Sequence, residues 1–463
     1  MPKPGLLLLP LLLAGCAAGP DYARPQPAAL GVPDAYHAAS PAGTPGDLTQ
    51  WWTLFGDPVL TGLVDQALAG NLDIAQGEAR LRQAREALVQ ARADLLPSLD
   101  ASAGGGRNFD NSAPDTSRLS LGADAAWQLD LFGGVRRSVE AARADSAASA
   151  YDLEAVRIAI AGEVARNYVL ARQAQASLAI ARDTLVTQDD NLEIAGFRVQ
   201  AGLVSSLDQE QARQQRASTA ASIPGLEQSF AAAANRLAVL TGQAPGAVTD
   251  RLTVPGAIPE GPEAVAAGIP ADTLRQRPDV RGAERGLAAA TARIGVARAA
   301  LLPGLGISGN VGTSALRLGG LGDVITGGLF ANLSQILFDG GRRQAAARAQ
   351  QAAADGAFAA YKATVLTALE DVENGLVALR AARERETQIA ISLDASTNAA
   401  LLARSQYRAG LTDFRTLLDA ERSLLSARDG FNQAKADAAT ALVQLYLALG
   451  GGWQPADLPN EGS

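Results

Sequence analysis

The sequence predicts a mixed α and β membrane protein, built from strand hairpins joined to very long helices, with the whole unit written twice. Three observations predict it. One is an internal repeat, one is a pair of unusually long proline-free helical stretches, and one is a switch of apolar periodicity from 3.6 to 2 before each stretch.

The repeat is read directly. "ARADLLPSLD" at 91–100 matches "ARAALLPGLG" at 297–306, an offset of 206. "LFGGVRR" at 131–137 matches "LFDGGRR" at 337–343, again 206 apart, and "QAGL" at 200–203 recurs as "RAGL" at 408–411. "LAVLTG", ending at Gly242, is echoed by "LALGGG", ending near Gly451. Order and spacing persist over most of the chain. Each copy reads helix, strand, strand, very long helix, turn, long helix.

The domains follow. Residues 1–15 read as a signal peptide, 16–57 as an extended N-terminal segment, and 58–243 as the first repeat. That repeat holds a β-hairpin at about 98–132 and a helical hairpin at 134–242. Residues 244–278 contain six prolines, from Pro245 to Pro278, and read as a non-helical connector. The second repeat, 279–450, holds a hairpin at about 304–338 and helices at 341–450, and 451–463 form a loosely ordered tail.

No proline lies between Pro114 and Pro224, or between Pro303 and Pro455, so helix interiors there run unbroken. Val365, Leu369, Val372, Leu376 and Leu379 recur at three- and four-residue steps. Leu178, Leu185 and Leu192 recur at seven, as in coiled-coil packing. From Gly134 to Gly202, and again from Gly341 to Gly410, the helix is about 100 Å long at 1.5 Å per residue. Scarce aromatics and abundant alanine suit such closely packed helices.

In "SRLSLGADAAWQLDLF", Leu119, Leu121, Ala123, Ala125, Trp127, Leu129 and Leu131 share one face, and polar or small residues share the other. The second copy alternates through Leu329, Ala331, Leu333 and Leu337, blurred by Ile336 and Phe338. Their expected partners are Leu99 to Phe109 and Leu305 to Thr313. Alternation over about ten residues, paired into hairpins, is the pattern of a transmembrane β-strand with its apolar set facing lipid, and a soluble hairpin lying on a helical body is the alternative. Four strands leave two edges unpaired, which hydrocarbon does not tolerate, so such a chain must oligomerise to close a barrel.

The N-terminus places Lys3, a leucine run from Leu6 to Leu13, and then Ala14-Gly15-Cys16. That is the order of a secretory signal. Cys16 is the only cysteine, so an internal disulfide is excluded. Leu13-Ala14-Gly15-Cys16 resembles the lipobox of bacterial lipoproteins, which implies a covalent lipid on Cys16. Ala17, in place of an aspartate, implies the outer membrane. Cleavage leaves 463 − 15 = 448 residues with 39 basic and 48 acidic side chains, a net of −9. So acidic a chain has no footprint for nucleic acid.

Catalytic chemistry has little to work with. His37 is the only histidine, no thiol remains for a nucleophile, and no His/Cys metal cluster can be assembled. Gly304, Gly306 and Gly309 fall in a GxGxxG spacing, yet a strand follows them where a dinucleotide site needs a helix. Neither a catalytic site nor a cofactor beyond the lipid is expected, and nor is a metal.

"GPDYARP" at 19–25, then Trp51, Phe55-Gly56-Asp57-Pro58 and Asn71, resemble the TolC-like outer-membrane efflux proteins in their lipoprotein branch. The resemblance spans the whole mature chain. It implies a homotrimer whose twelve strands, four per chain, form one small barrel in the outer membrane. That barrel would continue as a long helical barrel in the periplasm. The function implied is a passive duct for drugs or other small solutes, served by a periplasmic adaptor and an inner-membrane pump. A non-conducting envelope scaffold is the alternative.

Gly202 and Gly410 mark the periplasmic tip turns, where a left-handed residue suits glycine. In the family, a tip tyrosine bonds an aspartate on the neighbouring hairpin, and these positions are Tyr407 and Asp208 here. A further arginine link falls on Thr412 and is missing. Of two aspartates that ring the constriction in some members, Asp419 matches one and Thr416 stands at the other. Three copies of Asp419 would favour cations.

Overall fold

The computed structural model describes residues 18–38, 46–109, 111–112, 116–263 and 265–454. Cys16 lies outside them. In chain order the elements are α1 (Pro27–Leu30), α2 (Pro58–Gly70), α3 (Leu72–Ala93), β1 (Ser98–Asn108), β2 (Thr116–Leu129), α4 (Gly134–Gln200) and α5 (Ser206–Leu240). There follow α6 (Thr249–Thr253), α7 (Pro270–Gln276), α8 (Pro278–Ala299), β3 (Gly304–Ala315), β4 (Ile325–Ser334), α9 (Arg342–Arg408) and α10 (Phe414–Ala448). A 3₁₀ turn at Trp51–Phe55 precedes α2.

The duplication is structural. Helices α3 and α8 each have 22 residues, α4 and α9 each 67, and α5 and α10 each 35. Helix α5 runs through Pro224, which has no amide N–H to donate. The connector differs from expectation. It is not wholly non-helical, because α6 and α7 form within 244–278. Pro270 sits in the first turn of α7, where its missing N–H costs nothing.

The chain divides into two compact units that cut across the repeats. The first comprises residues 1–26, 79–151 and 279–364, and the second 27–78, 152–278 and 365–463.

The second unit has an aromatic core. Trp51 is stacked on Tyr446 at 5.5 Å between centroids, with Phe55 edge-on to both. Leu60, Leu63, Leu237, Leu240, Leu442 and Leu445 of the same unit are fully buried. Asp57 caps α2 by accepting from the N–H groups of Val59 and Leu60, and it accepts from the Tyr168 hydroxyl at 2.5 Å. Asn71 caps α3 and donates to the carbonyl of Leu240, tying the start of α3 to the end of α5. The residues that carry the resemblance are therefore packing and capping residues. The tail also differs from expectation. Trp453 is buried and its indole donates to the Gln276 carbonyl at 2.8 Å, so residues 451–454 are docked.

In the first unit, the segment after residue 17 lies on small-residue helix faces. A Cβ on Gly19 would meet the Cα of Gly295 at 2.5 Å, so only glycine permits this approach. The Ala18 N–H donates to the Phe132 carbonyl, and Asp21 pairs with Arg137. Glu284, 4% exposed at its side chain, accepts from Tyr22 at 3.1 Å and pairs with Arg24 at 2.9 Å and Arg285 at 2.8 Å. Burial, and then the Glu284 carboxylate, push the Tyr22 hydroxyl well above its ordinary pKa. Glu284→Ala should release residues 19–24, at a cost of about 1–2 kcal/mol after discounting the exposed Arg24. Hydrogen exchange at the amides of residues 21–24 in the purified protein should then accelerate about tenfold. An unchanged rate would show that Glu284 does not hold the segment.

Candidate functional site

Two regions bear on function, one in each unit. The first is the sheet. Its order is β1-β2-β3-β4, antiparallel throughout, although 174 residues separate β2 from β3 in the chain (304 − 129 − 1 = 174). The register brings every strand into phase. Leu121 pairs with Ala103 and Thr313, Ala125 with Leu99 and Gly309, and Trp127 with Ile307, which itself pairs with Ala331. Leu129 pairs with Leu305 and thence with Leu333. Paired residues share a face, so these apolar side chains form a single surface across four strands. The opposite face carries Ser102, Ser120, Asp124, Gln128, Ser308, Asn310 and Asn332, with Phe330 as its one large apolar side chain.

Both faces are largely open on β1, β2 and β4 in the isolated chain, whereas β3 is mostly half-buried. An apolar face, a polar face and ten- to fourteen-residue strands are the construction of an outer-membrane barrel wall. Strands β1 and β4 each offer an unpaired edge.

Several expected strand residues move. β2 ends at Leu129, so Leu131 lies in the bend before α4, where its N–H donates to the Leu129 carbonyl. Ile336, Leu337 and Phe338 likewise fall past the end of β4, and Phe109 past β1. The apolar pattern past the ladder does not reflect burial within this chain, since Leu337 and Phe338 are almost fully exposed. Leu119, Leu121, Trp127 and Leu129 share one face of the sheet. Trp127 stands two residues from the helical end of β2, and its indole donates to the Leu95 carbonyl at 3.0 Å. A tryptophan with an apolar body and a bonded N–H fits the membrane–water boundary.

The second region is the pair of hairpin tips. Gly202 has φ +67° and Gly410 φ +73°, both left-handed. At the first tip, Leu203 N–H donates to Arg198 and Gly202 N–H to Val199. At the second, Leu411 N–H donates to Gln406 and Gly410 N–H to Tyr407. This is the same Schellman cap at both tips. Ser205 then caps α5 and Asp413 caps α10, each within a five-residue turn.

Tyr407 is 2% exposed and packs with Phe414, Leu417, Leu418, Ala195 and Ala403. The expected hydrogen bond to Asp208 is not made within the chain. The hydroxyl is buried without a partner among the described residues, while the ring packs beside Phe414 at 5.6 Å and under Arg198 at 4.2 Å. Burial raises the Tyr407 pKa, Arg198 opposes the shift, and Asp208 adds to it. Asp208 itself is half-buried in the first turn of α5.

Thr416 and Asp419 lie three residues apart on an exposed face of α10. Asp419, 61% exposed, has Arg415 at 3.9 Å and Arg422 at 3.8 Å, so its carboxylate is not an isolated negative charge. Sequence reasoning missed Arg198, Arg404 and Glu421. Glu421 is buried and accepts from Asn191 at 2.7 Å and Arg404 at 3.2 Å, joining α4, α9 and α10. Their helical periodicity places them on inward faces, but which hairpin they meet is a tertiary fact.

A barrel-wall sheet that must be completed by other copies, together with two paired helical hairpins, defines an outer-membrane channel subunit. Comparison agrees at the level of family. The chain belongs to the outer membrane efflux protein family, whose model matches residues 63–243 and 269–451, once in each repeat. It is 32% identical to nodulation protein T of Rhizobium leguminosarum bv. trifolii, covering 96% of each chain. It is 33% identical to outer membrane protein OprJ of Pseudomonas aeruginosa, over 96% of this chain and 95% of that one. Among solved structures, the outer-membrane channel OprN superposes with a TM-score of 0.86 at 37% identity, covering 95% of this chain and all of that one.

Two predictions follow from this geometry. Leu121→Arg places a charge near the middle of β2 on the apolar face and should cost about 2–4 kcal/mol. Trp127→Arg, near the strand end, should cost only about 0–1 kcal/mol from lipid exposure. On unheated gels Leu121→Arg should abolish the oligomer band while Gln128→Arg spares it, and the reverse would mean the faces are assigned backwards. Tyr407→Phe removes an orphaned buried hydroxyl and should leave thermal stability of the oligomer unchanged or raised by up to about 1 kcal/mol. A clear loss of stability would mean that the hydroxyl finds a partner in another copy.

Proposed function

We propose that three copies of this chain form a passive efflux duct through the outer membrane. The carrying observation is the four-stranded sheet with one apolar face, one polar face and two open edges. Edge must meet edge between copies, because backbone groups left unpaired in hydrocarbon are intolerable. Two copies would give eight strands, a barrel whose interior is just filled by side chains. Three give twelve and leave a lumen, lined by the serines and asparagines of the polar face. That number agrees with the family resemblance.

The duct works as one outer part of a tripartite system. Energy comes from an inner-membrane pump, and a periplasmic adaptor joins it to the helical hairpins. The cargo is a drug or another small solute. Glycines on the polar face, Gly304, Gly306 and Gly312 among them, keep the wall thin. Cys16 bears the lipid that anchors the mature chain, which the Leu-Ala-Gly-Cys order supports.

Reconstituted in planar bilayers, the purified oligomer should give discrete ion-conducting steps. A correctly assembled oligomer that never conducts would favour an envelope scaffold. Mass spectrometry of the membrane-extracted protein should find diacyl or triacyl mass on the Cys16 peptide. An unmodified Cys16 within an uncleaved N-terminal peptide would remove the anchor from this account.

A further inference from the structure

The tip turns contain a contact that neither the resemblance nor the comparisons assign. Arg198 lies in the last turn of α4, four residues before Gly202. Its guanidinium carbon stands 4.2 Å from the centre of the Tyr407 ring, and its Nη2 donates to the Tyr407 carbonyl at 2.9 Å. Tyr407 occupies the last turn of α9. One side chain of the first hairpin therefore grips both the ring and the backbone of the second.

Three features make this more than an ordinary surface arginine. The Tyr407 carbonyl also accepts from the Gly410 N–H, so Arg198 fills the second lone pair of an acceptor that belongs to the tip turn itself. The guanidinium sits at the negative C-terminal ends of both 67-residue helices, where a cation is favoured twice. The Arg198 guanidinium is engaged by the Tyr407 ring and the Tyr407 carbonyl together. Phe414 backs the ring at 5.6 Å, and the cluster of Leu417, Leu418 and Ala195 holds it in place.

We propose that Arg198 is the positioning residue that clasps the two hairpin tips of one chain together and so sets how readily the duct opens. The proposal rests on the reading of the tips as the closed end of an efflux duct. The clasp works through the ring and the main-chain carbonyl. The Tyr407 hydroxyl has no hydrogen-bond partner among the described residues. Spreading of α4–α5 from α9–α10 must first withdraw the guanidinium from the ring.

The test compares Arg198→Gln, Arg198→Lys, Tyr407→Phe and Tyr407→Ala in the full-length oligomer, by single-channel recording with oligomer yield as control. Arg198→Gln and Tyr407→Ala should each raise open probability about fivefold or more. Arg198→Lys keeps a cation over the ring and should fall between them and the wild type, and Tyr407→Phe should match the wild type. If Arg198→Gln opens no more than wild type while Tyr407→Ala does, the clasp is wrong and the tip gate stands. If the wild type conducts and neither variant changes its opening, the clasp is again wrong, and so is closure at these tips. A wild type that never conducts overturns the duct reading itself. Should Arg198→Gln fail to assemble, hydrogen exchange of Leu203 and Leu411 amides in Arg198→Lys decides. Faster exchange at both tips supports the clasp, and wild-type rates at both overturn it.

Discussion

Everything in this chain depends on the two unpaired edges of its sheet. Backbone N–H and C=O groups in hydrocarbon must be bonded, and one chain supplies only four strands. The protein can therefore be a membrane protein only as an oligomer. The same constraint explains why both faces are largely open on β1, β2 and β4 in the single chain. One face awaits lipid and the other a lumen, and neither is meant for a core of its own.

The duplication supplies what closure needs at small genetic expense. Each repeat contributes one strand hairpin and one helical hairpin, with matching helix lengths of 22, 67 and 35 residues. Equal lengths put both tips at equivalent ends of their hairpins, where a Schellman cap and an N-cap reverse the chain in five residues. The tips are not equivalent in chemistry. The first presents Arg198 and Asp208, and the second presents Tyr407 and Phe414. That asymmetry lets one repeat grip the other.

Much of this was legible in the sequence, for physical reasons. Helix length could be read from missing prolines, turn positions from glycine, and strand faces from alternation of Leu119, Leu121, Trp127 and Leu129. Strand ends could not, because Leu131 and Leu337 continue the apolar pattern after the ladder stops. Agreement of all four strands on one apolar face is a matter of register between residues some 200 positions apart, which periodicity within a strand cannot reveal. Trp453 looked like part of a loose tail, yet one buried indole with a carbonyl partner docks it. Tyr407 and Asp208 were named from resemblance, whereas Arg198 emerges only when both hairpins are seen together. A cation four residues before a helix end is too common to single out.

The central claim is that β1 of one copy pairs with β4 of the next, and that the ring closes at three. Single cysteines placed along β1 and along β4 in the same chain, on a Cys16→Ser background, test it by oxidative crosslinking in membranes. Facing pairs should yield covalent dimers and then trimers, with the ladder ending at three chains. Crosslinks that stay within one chain, or a ladder that runs past three, would contradict the account.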